Sequence, residues 1–517
     1  MQKIKGAFPV LITPMDEFQE INWDGVKQNV NYFIEQKVAG IIINGSTGEF
    51  VSLSKEERFK MVETVLKEVD GRIPVIVGTA AETTKETIEY TRHAEAHGAD
   101  CALIINSYYC KPKEEVEEHR EELAQLEALD NGKPYQVALE DDIAATVENY
   151  RYYAGWATKI IGQTIPISKD YLNYTRHEPV GVVGQIIPWN FPLVMSSWKM
   201  GAALATGCTI VLKPAEQTPL SLLYTAKLFK EAGFPNGVVN FVPGFGQEAG
   251  ATIVNHHDID KVAFTGSTVT GKYIMRQSAE TIKHVTLELG GKSPNIILED
   301  ADIDEAINGA FQGIMYNHGQ NCSAGSRVFV HRNHYETVVN ELVRMANDVK
   351  LGAGMEQETE MGPLVSKKQQ ERVLNYIEQG KAEGATVAAG GERAFEKGYF
   401  VKPTVFTNVT DDMTIVKEEI FGPVVVVLPF DSTEEVIERA NRSSYGLAAG
   451  VWTQNIKIGH QVANKLKAGT VWINDYNLEN AAAPFGGYKQ SGIGRELGSY
   501  ALDNYTEVKS VWVNIKE

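Results

Sequence analysis

Cysteine is scarce in this chain: four residues in 517, at 101, 110, 208 and 322, with no CxxC pair. That excludes a disulfide scaffold and a cysteine-based metal centre, so no metal is expected, and it suits a reducing, cytoplasmic setting. Long apolar runs are missing as well. The longest, "FGPVVVVLPF", falls far short of the roughly 20 residues of a membrane helix and reads as a buried strand. The opening "MQKIKGAFPVLITPMDEF" carries two lysines, but its apolar stretch is short and broken by proline, so no signal peptide is expected. Positive charge is in deficit, with 49 Lys and Arg against 67 Asp and Glu and a formal net charge of −18. Without a basic run interleaved with aromatics, neither nucleic acid nor a membrane is an expected partner. Low-complexity linkers and chain-long repeats are absent too.

What remains is an ordinary globular composition, 43% hydrophobic and 22% charged, in a chain long enough for two to four domains. Residues 1–113 repeat a strand-then-helix rhythm, with strands at "GAFPVLITP", "AGIIING", "IPVIVGTA" and "CALIINSYY". Two of the intervening helices open with capping boxes, Ser54 with Glu57 and Thr83 with Glu86. A repeat of about 30 residues is the length of a βαβ crossover, which predicts parallel strands. A charged helix follows from Glu114 to about Leu129, stopped by "DNG" at Gly132. From Glu178 the rhythm resumes with strands at "EPVGVVGQII", "CTIVLKP", "VVNFVPG" and "KVAFTG", predicting a second parallel sheet with helices on both faces. A third α/β region runs from about Gly291 to Gly486, and the final "YTEVKSVWVNI" alternates like an edge strand.

In the loop "GSTGEF", Gly45 and Gly48 permit close backbone approach, while Ser46 and Thr47 offer hydroxyls and amides to a carboxylate. The same six residues serve equally well as a tight strand-to-helix turn. With "LSKEER", "IPVIVGTA" and "SYYCKP" in order, the segment resembles the dihydrodipicolinate synthase and N-acetylneuraminate lyase family. The resemblance implies the start of a TIM barrel, with Ser46 and Thr47 at a pyruvate carboxylate and Tyr108 or Tyr109 near it. Only about four of that fold's eight βα units are present. The family's Schiff-base lysine and catalytic tyrosine lie on later strands that the chain does not supply. A pyruvate-dependent lyase is therefore the disfavoured alternative.

Four constellations in the remainder point elsewhere. "NHGQNCSAGS" surrounds Cys322 with small and polar neighbours that let backbone amides approach; a lone cysteine is otherwise an inert buried hydrophobe. In "HVTLELGGKSPN", Glu288 sits in an apolar strand before a Gly-Gly turn, either as a satisfied structural carboxylate or as a base with a raised pKa. "QIIPWNFPL" holds Asn190 between proline-constrained turns, suited to donating to a developing oxyanion. Just past the next strand, "VLKPAEQTP" places Lys213 and Glu216 where open α/β sheets put ligand-binding groups, although an exposed Lys and Glu also make a plain solvated loop. The last, "KVAFTGSTVTGKY", almost spells a Walker A motif, but Tyr273 stands where the magnesium-binding hydroxyl belongs.

Together these stretches resemble the NAD(P)-dependent aldehyde dehydrogenase superfamily from about Glu114 to the C-terminus. "LDNGKPY", "RYYAGWA", "YTRHEPVGVVGQIIPWNFPL", "TLELGGKSPNI", "GQNCSAGSR", "EEIFGPV" and "PFGGYKQSGIGRELG" carry the likeness. It implies Cys322 as nucleophile, Glu288 as general base, and Asn190 with the Cys322 amide as oxyanion hole. For NAD it implies Lys213 and Glu216 at the adenosine ribose, Ser267 and the glycine loop (Gly266, Gly271) at the pyrophosphate, and Glu419 and Phe421 at the nicotinamide. Ile186, Trp189 and Gly246 complete the implied cofactor contacts. Phe191, Trp198 and Phe485 would line an aldehyde tunnel, and Glu479 there points to a polar substrate. Glu216 should repel a 2′-phosphate and so favour NAD over NADP.

The expected fold is α/β: a partial TIM barrel (1–113), a Rossmann-like NAD-binding domain (114–290) with an oligomerisation hairpin (about 161–178), a catalytic domain (291–490) and a C-terminal oligomerisation segment (491–517). The chain thus reads as a chimera joined between about Lys111 and Glu118, with the half barrel in place of the family's own N-terminal segment. The expected partners are a small-molecule aldehyde and further copies of the chain in a dimer or tetramer. A folded but inactive fusion is the remaining alternative.

Overall fold

Ser54 and Glu57 make the capping box their spacing predicts: each accepts the other's backbone N–H, opening the helix Lys55–Val69. The computed structural model describes residues 6–16, 18, 20–81, 84–103 and 116–516. The chain divides into two units, Met1–Cys110 and Lys111–Glu517. Thr83, Tyr108, Tyr109 and most of the expected join lie outside the described residues.

In the first unit, helices α1 (Trp23–Glu35), α2 (Lys55–Val69) and α3 (Thr84–Ala96) alternate with strands β1 (Ile41–Ile43), β2 (Val75–Gly78) and β3 (Cys101–Leu103). The strands are parallel neighbours in sequence order, as βα repeats require. "GAFPVLITP" contributes only an isolated parallel bridge, Val10 to Ile42. Pro9 and Pro14 on either side lack the N–H that a longer ladder would need. Val30, Ile41, Ile43, Val65, Val69, Val75 and Val77 fill the core between sheet and helices. No closed barrel forms among the described residues.

The second unit begins on helix α4 (Arg120–Asn131), which ends where Gly132 adopts φ +95° and donates back to Ala128. Strands β4 (Thr164–Ser168) and β5 (Tyr171–Pro179) form an antiparallel hairpin, and the C-terminal strand Thr506–Asn514 pairs with β5 over nine residues. Strands β6 (Val182–Ile186), β7 (Thr209–Lys213), β8 (Val239–Phe241), β9 (Lys261–Thr265) and β10 (His284–Glu288) make a parallel sheet in the order β10-β9-β6-β7-β8. Gly492–Ile493 adds to β10 in the antiparallel sense. The order reverses at β6, so a crevice opens at the carboxyl ends of β6 and β9, where open α/β sheets bind ligands. Helices α5 (Pro192–Ala205) and α6 (Thr268–Ser278) leave from those ends.

A seven-stranded sheet follows: β11 (Pro294–Ile297), β12 (Arg327–His331), β13 (Thr386–Ala389), β14 (Thr404–Thr407), β15 (Val424–Phe430), β16 (Ala448–Trp452) and β17 (Thr470–Ile473), in the order β13-β14-β15-β12-β11-β16-β17. Only β13 is antiparallel. β15 is the "VVVVLPF" run, buried at every position but Pro429, as a parallel strand covered on both faces must be.

Gly132 gives the fold a direct test. Its left-handed φ disfavours a side chain, and an added Cβ would lie 3.0 Å from both Cγ and O of Pro363. Gly132→Ala should cost roughly 1–2 kcal/mol, read as a lower denaturation midpoint in urea. An unchanged midpoint would show that α4 does not end as described.

Candidate active site

The site is organised by the turn between β10 and β11. Glu288 is the last residue of β10, and Gly290 and Gly291 follow where no side chain fits. A Cβ on Gly290 would lie 2.2 Å from Oε2 of Glu419, and one on Gly291 would lie 2.4 Å from the carbonyl oxygen of Cys322. The Gly291 N–H donates to Glu419 Oε1 at 2.8 Å. Close packing of the turn on the Glu419 carboxylate and the Cys322 carbonyl, with this hydrogen bond, therefore holds Glu288, Glu419 and the Cys322 loop together.

That loop is itself constrained. Asn317 and His318 adopt left-handed φ of 47° and 60°, each costing about 1 kcal/mol, a strain typical of functional sites. Asn317 Nδ2 donates to the carbonyls of Asn190 and Gln320, and His318 Nε2 accepts from Gly362 N–H. Asn190 Nδ2 donates to the Gln320 carbonyl at 2.9 Å, which leaves its second hydrogen for another acceptor. From below, Asn131 of α4 donates to the carbonyls of Trp189 and Asn190.

One cavity of about 400 Å³ is lined by Trp189, Asn190, Thr265, Gly266, Ser267, Glu288, Cys322, Glu419 and Phe421, among others. The Phe421 ring meets Trp189 edge-on, with centroids 5.3 Å apart. Burial, then the carboxylates of Glu479, Glu288 and Glu419, push the Cys322 thiol up. Burial, then Glu496, hold Glu288 well above the usual carboxylate range, against the opposing pull of Lys199 and Arg495. Among the described residues, Glu288 Oε2 is buried without a hydrogen-bond partner. Glu419 is raised to about 7 by burial, with the Gly291 hydrogen bond opposing. A protonated thiol, a buried carboxyl with an unused oxygen and an amide donor around one cavity are the components of covalent catalysis at a carbonyl.

A second cavity of about 910 Å³ is lined by Ile186, Glu216, Gly246, Phe264, Thr270 and Lys368, among others; Lys368 also lines the first. Lys213 ends β7 with its ammonium on Pro214 O and on Glu216 Oε2, at 2.9 and 3.3 Å. Ser267 caps α6 through the Thr270 N–H, so an eleven-residue helix points its positive end between the cavities. Open space surrounds Gly246.

Lys213, Gly271, Glu479, Phe191, Trp198 and Phe485, all singled out in the sequence, line neither cavity. Gly271 has no room for a Cβ because Leu289 packs 2.6 Å from where it would sit, so this glycine serves helix packing. Phe191, Trp198 and Phe485 are buried in the hydrophobic cluster against which Cys322 packs, with Trp198 edge-on to Phe485 at 5.2 Å. The sequence reading missed Lys199 and Glu496, a buried pair 2.5 Å apart. It also missed Lys292, whose buried amine has no hydrogen-bond partner among the described residues and is pushed down to about 7 by burial. A lysine in the otherwise uncharged "LVMSSWKMGAALA" was the available signal for the first.

Comparison with known proteins matches residues 106–511 to the aldehyde dehydrogenase family and residues 3–131 to the dihydrodipicolinate synthetase family. In the overlap, α4 is bonded into the second unit, since Glu127 accepts from Ser221 Oγ and from Leu193 N–H. DhaS of Bacillus subtilis, assigned by name to the aldehyde dehydrogenases, is 65% identical over 402 residues (78% of this chain, 81% of that one). The human mitochondrial aldehyde dehydrogenase is 54% identical over 403 residues (78% of each chain). A solved NAD+ complex of an aldehyde dehydrogenase from Bacillus cereus is 94% identical, with a TM-score of 0.78, covering 79% of this chain and 83% of that one. The chain belongs to the aldehyde dehydrogenase family.

Proposed function

We propose that Cys322 is the nucleophile, Glu288 the general base and Asn190 the oxyanion donor in oxidation of an aldehyde to a carboxylic acid. The activity is that of an NAD-dependent aldehyde dehydrogenase. The observation that carries the assignment of roles is the meeting of these three residues with Glu419 and Phe421 in one cavity.

The Cys322 thiol first loses its proton to solvent in the cavity, which leaves Glu288 as the base for the later step. The thiolate adds to the aldehyde carbon, and the new oxyanion accepts the Asn190 hydrogen that Gln320 leaves free. Hydride departs from that carbon, leaving a thioester on Cys322. Glu288 then takes a proton from water, whose attack releases the acid and restores the thiol. NAD, when bound, supplies the hydride acceptor.

The chain's residues fit that cofactor. Lys213 and Glu216 would hold the adenosine ribose, the positive end of α6 with Ser267 the pyrophosphate, and Glu419 with Phe421 the nicotinamide ribose and ring. Glu216 lines the second cavity with its oxygens on Lys213 and Gln217, and its remaining lone pairs suit a ribose hydroxyl and oppose a 2′-phosphate. The aldehyde would approach Cys322 from the side of Phe191, Trp198 and Phe485. Assembly into a dimer or tetramer would use the β4–β5 hairpin and the C-terminal strand. There Ile165, Ile167, Leu172, Val508 and Trp512 are 39–63% exposed, which a second copy would cover.

Cys322→Ser should abolish NADH formation. Cys208→Ser should retain most of it, because Cys208 is buried on the Tyr505 carbonyl away from the cavity. Near-normal turnover by the Cys322 variant would sink the assignment.

Glu288→Gln should keep a first-turnover burst of NADH while steady turnover falls about 10²–10⁴-fold. The pH dependence has a definite sign. Glu288 works deprotonated and its pKa is raised, so the wild-type steady rate should climb as pH rises above the usual carboxylate range. The variant should lose that limb. A variant turning over at the wild-type rate without a burst would mean that another group activates the water.

A further inference from the structure

The first unit carries a cluster that the dehydrogenase chemistry does not use. His93 and His97 stand four residues apart at the end of α3, so their rings share one face, and Glu63 of α2 reaches the same place. One ligand atom from each lies within 4.8 Å of the other two. Both imidazoles turn Nε2 toward a single oxygen: Glu63 Oε1 is 3.4 Å from His93 Nε2 and 3.8 Å from His97 Nε2. With metal–ligand bonds of about 2.0–2.2 Å, the ligand atoms of a tetrahedral zinc ion lie about 3.3–3.6 Å apart. Two of the three edges are already near that length.

The surroundings prepare the rings for ligation. His97 Nδ1 lies 2.8 Å from the His93 carbonyl, so Nδ1 carries the hydrogen and the Nε2 lone pair is free. The His93 ring stacks on Phe59 with centroids 3.8 Å apart, which fixes its plane. The competing acceptor for His93 Nε2 is the Phe59 carbonyl, at a long 3.4 Å. Two histidines one helical turn apart with a carboxylate from a neighbouring helix are a donor set for zinc-class ions, water completing the shell on the exposed side.

We infer that Glu63, His93 and His97 form a binding site for a divalent transition cation of the zinc class, which clips α2 to α3. The expectation of no metal, drawn from the cysteines, did not weigh this histidine pair.

Cobalt(II) is the probe, titrated into the full chain and followed by its visible ligand-field absorption, with zinc added to displace it. Wild type and Cys322→Ser should each bind one cobalt ion with the same spectrum. His97→Gln and Glu63→Gln alter exposed side chains that the fold does not need, and each should bind at least about tenfold more weakly. Helical circular dichroism checks that both variants fold. Absence of a ligand-field spectrum in wild type, or undiminished binding in both variants, overturns the site. Binding lost in Cys322→Ser instead would place the ion at the active-site thiol and overturn it equally.

Discussion

Two glycines fix the chemistry of this protein. At Gly290 and Gly291 the chain passes from the cofactor-type sheet to the seven-stranded sheet with no space for a Cβ on either residue. The Glu419 carboxylate fills the space beside the first and the Cys322 carbonyl the space beside the second. Because Glu288 ends β10 two residues before Gly290, one turn sets three cavity positions relative to each other. A side chain at either glycine would have to push backbone or carboxylate aside, and a displacement near 1 Å is enough to disable a constellation of this kind.

The arrangement carries an electrostatic cost. Glu288, Glu419, Glu496, Lys199 and Lys292 crowd the region around that turn, and single polar atoms of Glu288, Glu496 and Lys292 are buried without partners among the described residues. Burial penalises charge, which is why both Glu288 and the Cys322 thiol favour their protonated forms. A stability-optimised core would not keep such groups. Their retention here is intelligible if they serve as the proposed base and nucleophile, whose steps need protons to be taken up and given back.

Much of this was legible in the sequence because it is local. The apolar strand ending in "ELGG", the polar loop around Cys322 and the proline-bracketed Asn190 each announce themselves within about ten residues, and the structure brings all three to one cavity. The valine run of β15 and the glycine stop of α4 were readable for the same reason. What escaped depends on distant partners. Lys199 and Glu496 are 297 residues apart, and neither is informative alone. Gly271 looked like a phosphate-loop glycine, but its neighbour is Leu289, which the loop's own spacing cannot reveal. In the first unit, strand rhythm predicted parallel pairing correctly, while the prolines reduced the first expected strand to a single bridge.

The central claim is that the Gly290–Gly291 turn assembles a complete dehydrogenase site in this chain, although residues 1–113 follow another family's pattern. Equilibrium titration of the full-length protein with NAD, by calorimetry, tests it most directly. The account predicts one NAD per chain, with binding at least about tenfold weaker in Gly290→Ala because the displaced Glu419 carboxylate no longer meets the nicotinamide ribose. A folded wild-type chain that binds no NAD, or a Gly290→Ala chain that binds it undiminished, would contradict the account.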